Sequence, residues 1–292
     1  MDATRVNEGK VLACVDQSQY ADHVADYAAW AARRLDAPLE FLHVIDQPVA
    51  NLSRTDHSGA IGLGAQERLL DQLAGEDETR ARDARERGRI FLNRLRERAV
   101  AAHVDSVDVR QRFGDLAGTL AEQQQDVRLV VLGRRGESAK TTRRDLGRNV
   151  ERIVRALDQP VLTVTDDFIE PRRIMIAFDG SVVTRHGVEM VAASPLFRGL
   201  PVFLLMAGKG RSDGPRQIEW ARTLLVAAGF DVSAALQPGD AETMIARAVE
   251  EQGIDLLVMG AYGHSLLRSR VVGSKTTDLL RSSSIPTLLL RR

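Results

Sequence analysis

Two stretches of the chain, VLACVDQS at Val11–Ser18 and IMIAFDGS at Ile174–Ser181, decide the fold. Each is a short apolar run that reaches an aspartate, Asp16 in the first and Asp179 in the second, 163 residues apart. A short apolar run bounded by polar residues is typical of a strand that is buried on both faces of a parallel sheet. Two copies of the same strand predict that the chain contains two copies of one structural unit.

The repeat continues along the chain, with one change in spacing. PLEFLHVI at Pro38–Ile45 and PVFLLMAG at Pro201–Gly208 keep the offset of 163 residues. Beyond them, VVLGRRG at Val130–Gly136 and LVMGAYG at Leu257–Gly263 are only 127 residues apart. The first unit therefore carries about 36 additional residues after its second strand, and we place this insertion at about 47–89.

The inserted segment is expected to begin as a loop and to continue as a long helix. Gln47–Ala65 contains the Gly, Ser, Asn and Asp residues of a loop, and Gln66–Ala102 has a helical pattern that Gly75 and Gly88 would break or loosen. The middle of this helix, Gly75–Arg89, is almost entirely charged or small, which favours a solvated face with opposite charges one turn apart.

Helical patterns separate the apolar runs in both units, so strands and helices alternate. This alternation predicts an α/β fold with two tandem domains, each built on a five-stranded parallel sheet covered by helices on both faces. We place the domains at 1–166 and 167–292, because Asp166–Arg172 is polar and contains Pro171. The predicted helices are Ala21–Leu35, Asp115–Gln125, Val150–Leu157, Arg185–Ala193, Gly214–Ala228, Ala241–Glu251 and Thr276–Ser282.

Composition excludes several classes of protein. The 292 residues hold 40 Lys and Arg against 40 Asp and Glu, so the chain lacks the basic excess of a nucleic-acid binder. No apolar run is long enough to cross a membrane, and the polar start of the chain has no signal-peptide core. The single cysteine, Cys14, lies in an apolar strand and is expected to be a core residue. A cytoplasmic protein without a membrane or nucleic-acid partner fits these observations best.

A glycine pattern follows the fourth strand of the second unit. Gly260 and Gly263 come directly after this strand, and Gly273 and Ser274 open a helix, so the spacing is G-x2-G-x9-G-S. Glycines let a backbone pass close to a ligand, and free amides at a helix start favour an anion. Lys275 adds a positive charge. Taken one at a time, these residues also fit a tight turn and an ordinary helix cap.

With these motifs the chain resembles the universal stress protein family in its tandem form, over nearly the whole chain apart from the insertion. The resemblance implies two Rossmann-like domains of the adenine nucleotide alpha hydrolase-like type, paired about a pseudo-twofold axis through the final strands, Val161–Val164 and Thr287–Leu290. It further implies ATP or AMP as the ligand, with or without Mg²⁺, and a nucleotide-responsive stress regulator that forms a homodimer.

The resemblance also implies roles for single residues of the second half. Asp179 should face the ribose or the adenine, the backbone of Ala207 should meet the adenine edge, and Met259 should pack near the sugar and base. The intact G-x2-G-x9-G-S match is Gly260, Gly263, Gly273 and Ser274. Of these regions, Gly263 and the amides of Gly273–Lys275 should hold the phosphates. Lys275 departs from the apolar residue that is common in the family at this position.

The first half departs further from the family pattern. The positions that correspond to the second-half site are Asp16, Val44, Gly133, Gly136, Gly147, Arg148 and Asn149. Ten residues rather than nine precede Gly147, and Arg148 replaces the Ser or Thr. Six cations and two acids lie between Arg134 and Arg148. This basic loop fits either a solvated or interdomain ion-pair surface, or a variant site for a phosphate or another anion.

No catalytic arrangement is recognisable, so the chain is not expected to be a dedicated enzyme. The HIGH-type and SGGxDS-type motifs of nucleotidyl transferases and the GxSxG serine elbow are absent. Gly273-Ser-Lys-Thr276 lacks the first glycine of a Walker A loop, and the six histidines show no metal-ligand spacing. The alternatives to nucleotide binding are a nucleotide-free scaffold and a weak ATPase.

Overall fold

The structure is a computed structural model, and it describes residues 9–45, 63–136, 148–165, 167–208, 212–261 and 283–291. For residues 63–77, 148 and 149 it describes the backbone. The strands in these ranges are β1 (Lys10–Cys14), β2 (Leu39–Ile45), β3 (Val107–Phe113), β4 (Val127–Gly133), β5 (Val161–Val164), β6 (Ile174–Ala177), β7 (Val202–Ala207), β8 (Val232–Gln237), β9 (Leu256–Gly260) and β10 (Thr287–Leu290). The helices are α1 (Ala21–Leu35), α2 (Leu63–Ala101), α3 (Leu116–Gln123), α4 (Arg148–Ala156), α5 (Val182–Ala193), α6 (Gly214–Ala227) and α7 (Ala241–Gln252).

All these strands form one continuous sheet, in the order β3-β2-β1-β4-β5-β10-β9-β6-β7-β8. Within each half the neighbouring strands are parallel. The halves meet where β5 and β10 pair antiparallel, with Thr163 opposite Thr287. The two five-stranded parallel domains and the meeting of their final strands are therefore confirmed.

The sheet is covered on both faces, as the alternation of strands and helices predicts. In β1, Val11 and Ala13 belong to an apolar cluster that includes the buried residues of α1, whereas Leu12 and Cys14 belong to a second cluster with Ile153 of α4. Successive side chains of a strand point to opposite faces, so the near-continuous apolar run of β1 supplies both clusters.

The single cysteine lies inside the core, as predicted. The side chain of Cys14 is 6% exposed, and burial raises the pKa of its thiol to about 12. Because the thiolate is the nucleophile, we expect the native protein to leave a thiol-specific colorimetric reagent unreacted at pH 8. The same protein in denaturant should titrate one thiol per chain, and rapid reaction without denaturant would contradict this burial.

Helix α2 is continuous over 39 residues, so the expected break near Gly75 and Gly88 is wrong. Each glycine costs about 1 kcal/mol of helix propensity, and packing at Gly88 offsets that cost. Gly88 is buried against the sheet, where an added Cβ would overlap Nε2 of Gln111 and lie 3.1 Å from Cδ2 of His43. A glycine at this position therefore lets the helix approach β2 and β3 closely. The helix begins at Leu63, inside the stretch expected to be loop, and 46–62 lie outside the described residues.

Charged residues fix α2 against α1. Arg98 binds Asp26 through a bidentate pair, with Nε 2.6 Å and Nη2 2.8 Å from the two carboxylate oxygens. Arg94 lies 2.8 Å from Asp22. These ion pairs tie the part of α2 that follows the insertion to α1. On the outer surface Arg89 pairs with Glu86 at 2.7 Å, as the charge pattern predicts.

The remaining predicted helices agree with the structure to within a few residues. Helix α1 has the predicted bounds, and α5 begins at Val182, three residues before the predicted start, because Ser181 caps it by accepting a hydrogen bond from the amide of Thr184. The predicted helix at Thr276–Ser282 lies outside the described residues. None of the helices in the described ranges combines the length and apolar character that a membrane span needs.

Arginines bind backbone carbonyls across the boundary between the halves. Nε of Arg34, on α1, donates to the carbonyl of Leu196 at 2.6 Å, and its Nη2 donates to the carbonyl of Arg198. Arg291, after β10, donates to the carbonyl of Arg155 in the last turn of α4. Carbonyls at the end of a helix lack partners within it and attract cations. These contacts hold the two domains together in addition to the β5–β10 pairing.

Candidate functional site

The carboxyl ends of β9, β6 and β7 lie side by side at one edge of the second half. The registers pair Ala177 with both Met259 and Leu205. Asp179 therefore comes two residues after the end of β6, and Ala207 and Gly260 end the neighbouring strands β7 and β9. Strand order reverses between β6 and β9, and ligands of open parallel sheets bind at such a switch point. Asp179 and Gly260, two of the residues predicted from the sequence, therefore lie on the two sides of the crevice expected at this switch point.

The carboxylate of Asp179 is held by the turn that follows it. Its Oδ1 accepts hydrogen bonds from the amide of Ser181 at 2.9 Å and from the hydroxyl of Thr184 at 2.7 Å. Gly180 adopts a φ of +75° between them, a conformation that favours glycine. Both of these hydrogen bonds reach Oδ1, and Oδ2 accepts none from the described residues.

Asp179 is ionised at neutral pH. Burial raises the pKa of its carboxyl, but the hydrogen bonds from Ser181 and Thr184 lower it by more, so the pKa lies below its ordinary value. An ionised carboxylate only accepts hydrogen bonds. The arrangement can therefore bind hydroxyl or amide donors of a ligand, and it would repel an anion placed directly against it.

A polar network on α6 supports the same turn. Arg185 donates from Nη2 to Oε1 of Gln217 at 2.7 Å, and Gln217 donates from Nε2 to Asp213 at 3.0 Å. An added Cβ on Gly180 would lie 2.7 Å from Oε1 of Gln217. Arg185 also lies 4.6 Å above the ring of Trp220. The helix after β7 thus packs directly on the turn that positions Asp179.

On the other side of the crevice, Gly260 comes close to the first turn of α5. An added Cβ on Gly260 would lie 3.1 Å from Cγ1 of Val183 and 3.3 Å from Cγ2 of Thr184, which is tighter than ordinary van der Waals contact. Met259, one residue earlier, is 6% exposed and packs in the core beneath the edge. Ala207 is half-buried at the end of β7.

The structure thus brings together Asp179, Ala207, Met259 and Gly260 at one edge. The other predicted second-half residues, Gly263, Gly273, Ser274 and Lys275, lie outside the described residues. The assignment of all eight to a nucleotide site stays a prediction.

The corresponding edge of the first half differs in its polar contacts. Oδ1 of Asp16 accepts from the amide of Ser18 at 3.2 Å, but Ala21 stands where the second half has Thr184 and supplies no hydroxyl. An added Cβ on Gly136 would overlap Oδ2 of Asp16, so the loop after β4 lies directly against the carboxylate that corresponds to Asp179.

The other first-half candidates are only partly described. Val44 is half-buried near the end of β2. Gly133 ends β4, and an added Cβ there would lie 2.6 Å from the carbonyl of Arg135. Arg148 and Asn149 form the first turn of α4, and Gly147 lies outside the described residues.

Arg134, in the first-half glycine pair, is a contact between the halves. Its side chain is 8% exposed, and its Nη1 donates to the carbonyl of Ser283 in the second half. The corresponding second-half residue, Ala261, is fully buried. For Arg134, this favours the interdomain alternative over direct contact with an anion. The rest of the basic loop, 137–147, lies outside the described residues.

Sequence reasoning missed four residues that shape the site: Gly180, Thr184, Arg185 and Gln217. The spacing D-G-S-x-x-T at Asp179–Thr184 carried a signal for Thr184, because a Thr in the first turn of a helix can reach back to the preceding loop. The contact of Gln217 with Gly180 joins residues that are 37 positions apart in the sequence, and no local pattern indicates it. Among the described residues, no group of three or more His, Cys, Asp or Glu side chains could hold a metal ion.

Comparison with known proteins gives the same two-part organisation. The model of the "Universal stress protein family" matches residues 8–165 and 170–291. Universal stress protein Slr1230 of Synechocystis sp. is 35% identical over 285 residues, which cover 96% of this chain and 99% of that protein. The position of the domain boundary between Asp166 and Asp167 stays a prediction.

Solved structures support the fold. A universal stress protein from Archaeoglobus fulgidus aligns over 99% of both chains with a TM-score of 0.69 and 18% identity. A functionally unknown protein, PA1789 from Pseudomonas aeruginosa, aligns over 99% of this chain and 95% of its own with a TM-score of 0.60 and 18% identity. At this identity the likeness concerns the fold alone.

Proposed function

The chain belongs to the universal stress protein family, and from that premise we propose that its second half binds an adenine nucleotide, ATP or AMP. The observation that carries the proposal is the Asp179 carboxylate at the strand-order switch. Ser181 and Thr184 fix its Oδ1, and Oδ2 is left as an acceptor for the hydroxyls of a ribose. A preorganised acceptor loses little freedom on binding, which favours affinity.

On the other side of the crevice, Gly260 lets the end of β9 pack closely on the first turn of α5, against Val183 and Thr184. The backbone of Ala207, at the end of the next strand but one, is proposed to meet the adenine edge. A flat base held by backbone groups and a sugar held by a carboxylate together define a nucleoside site.

The phosphates are proposed to lie at Gly263 and at the amides of Gly273, Ser274 and Lys275. Residues 260–275 contain three cations and no acid, so the charge of this segment is complementary to a polyphosphate. Asp179 is ionised and therefore belongs at the sugar end, away from the phosphates. Mg²⁺, where present, would enter bound to the phosphates, since it is usually held by few carboxylates and by substrate oxygens.

We place the principal site in the second half rather than the first. Ala21, the counterpart of Thr184, has no hydroxyl to offer Asp16, and the backbone at Gly136 lies against Oδ2 of Asp16. The proposed role is that of a cytoplasmic regulator. The nucleotide would stabilise one conformation of the protein and so bias its interaction with a partner.

Equilibrium binding to the full chain tests the proposal. Calorimetric titration with ATP and with AMP is expected to show saturable binding with one principal site per chain. Gly273→Val is expected to abolish this binding, because a branched side chain would block the amides proposed to hold the phosphates. Mass spectrometry of small molecules released from gently purified protein should identify an adenine nucleotide. No saturable binding would leave the nucleotide-free scaffold as the better account.

A further inference from the structure

Helix α2 extends well beyond the sheet on which it packs. Gly88 lies against His43 and Gln111, and Arg85 lies 5.0 Å above the ring of Phe113, the last residue of β3. The helix starts at Leu63, so about 20 residues precede this point. At 1.5 Å per residue, that part of α2 is about 30 Å long.

The described residues of the extended part lie at the surface of the chain. None of the residues from Glu78 to Arg87 is buried, and further along the outer face Ile90 and Val100 are 59% and 54% exposed. Asn93 and Glu97 lie between them at helical spacing, and Asn93, Glu97 and Val100 border a shallow depression of that face. Most helical stability in proteins comes from packing of one face of the helix rather than from helix propensity, so a partner helix would stabilise this part.

The charge of α2 is divided between its two ends. Residues 63–78 contain five acids and one arginine, a net charge of −4, whereas residues 79–101 contain eight arginines and three acids, a net charge of +5. Arg82, Arg87 and Arg96 are exposed in the basic part. When a second copy of the helix runs antiparallel, the acidic part of each copy lies beside the longer basic part of the other.

We propose that two chains associate through their α2 helices in antiparallel orientation, with the acidic part of each helix on the basic part of the other. The contact is isologous, as a twofold dimer requires. A parallel arrangement would bring like charges together. This surface is separate from the proposed nucleotide site, so either proposal can fail without the other.

The experiment uses two charge-reversed chains and their mixture, with mass measured by sedimentation velocity in 50 mM salt. The acidic variant is Glu76→Lys/Asp77→Lys/Glu78→Lys, and the basic variant is Arg82→Glu/Arg87→Glu/Arg96→Glu. We expect the wild-type chain to be a dimer and each variant alone to dimerise at least about tenfold more weakly, because both contacts of the twofold pair become repulsive. An equimolar mixture should recover the dimer, since each altered segment then meets its opposite charge.

A second comparison tests the apolar part of the surface. Ile90→Arg/Val100→Arg should weaken the dimer, whereas Val226→Arg, at a 47% exposed valine on α6, should leave its mass unchanged. Raising the salt from 50 mM to 0.5 M should also weaken the wild-type dimer. Circular dichroism of every variant checks that the fold is retained. A monomeric wild-type chain, equal masses for all variants, or a mixture that stays monomeric would overturn the proposal.

Discussion

Replacing Asp179 by alanine is expected to raise the dissociation constant of the full chain for ATP by about 10- to 150-fold, the range for losing hydrogen bonds to a charged group. The substitution removes the acceptor proposed for the ribose and leaves the hydroxyl of Thr184 without its partner at 2.7 Å. Asp179 is a surface residue, so the fold should survive. Titration calorimetry measures the change, and thermal unfolding without nucleotide controls for stability.

The chain contains its own matched control for this substitution. Asp16→Ala changes the corresponding carboxylate of the first half and should leave the principal ATP affinity unaltered. Thr184→Val keeps the shape of the side chain and removes the hydroxyl, so it should weaken binding several-fold, and Thr184→Ser should restore it. Equal losses for Asp16→Ala and Asp179→Ala would contradict the placement of the principal site in the second half.

The pH dependence of the free energy of unfolding tests the hydrogen bonds of Asp179 in the absence of nucleotide. The pKa of Asp179 in the folded chain lies below its ordinary value, so its stabilising contribution is complete above an unfolded pKa of about 4 and is lost as the pH falls through the folded value. The stability difference between the wild-type chain and Asp179→Asn should therefore be constant from pH 8 to about pH 5 and should narrow below about pH 4. A difference that grows on acidification would mean the opposite shift.

The architecture was predictable because it depends on patterns that are local in the sequence. The apolar run around Val11 and its copy around Ile174 identify strands buried on both faces, and the change in offset locates the insertion. The pairing of β5 with β10 came from family resemblance and is confirmed by the register of Thr163 with Thr287. No periodicity within either strand indicates which edge of a sheet meets another.

The errors in the predicted elements and site arise from contacts between distant segments. Gly88 has a poor helix propensity, and only its approach to His43 and Gln111 makes a glycine favourable there. The charges of the basic loop fitted two alternatives, because a count of charges does not show what each side chain contacts. For Arg134, the structure favours one of them, since the side chain is buried and bonded to the carbonyl of Ser283.

Differences at corresponding positions of the two halves explain why two copies of one unit need not share one function. In the second half, Thr184 binds the site carboxylate and Arg185 reaches Gln217 on α6. In the first half, Ala21 and Asp22 occupy the corresponding positions, and Asp22 pairs with Arg94 on the long helix. The first turn of α1 therefore anchors α2, whereas the first turn of α5 supports Asp179.

The stability of the joined halves should depend strongly on Trp30. Helix α1 is buried on nearly all sides, because it packs on β1 and β4, against α2, and against the second-half turn Pro195–Phe197. Trp30 is 1% exposed and is among the largest fully buried side chains in the described ranges. Trp30→Ala is expected to cost about 3–5 kcal/mol, a large fraction of the 5–15 kcal/mol typical of a domain. Urea unfolding followed by circular dichroism measures the loss.

Trp30→Phe distinguishes the effect of the side chain's volume on stability from the effect of its buried N–H group. Nε1 of Trp30 is buried and has no hydrogen-bond partner among the described residues, so replacing the indole by a phenyl ring removes an unsatisfied donor as well as some volume. Because an unsatisfied buried donor costs about 1–3 kcal/mol, we expect the gain to offset much of the lost packing and Trp30→Phe to fall within about 2 kcal/mol of the wild-type chain. If Trp30→Phe were as destabilising as Trp30→Ala, the indole N–H would have to be satisfied in the folded protein; if Trp30→Ala cost less than about 1 kcal/mol, α1 would not be the buried centre of the first half.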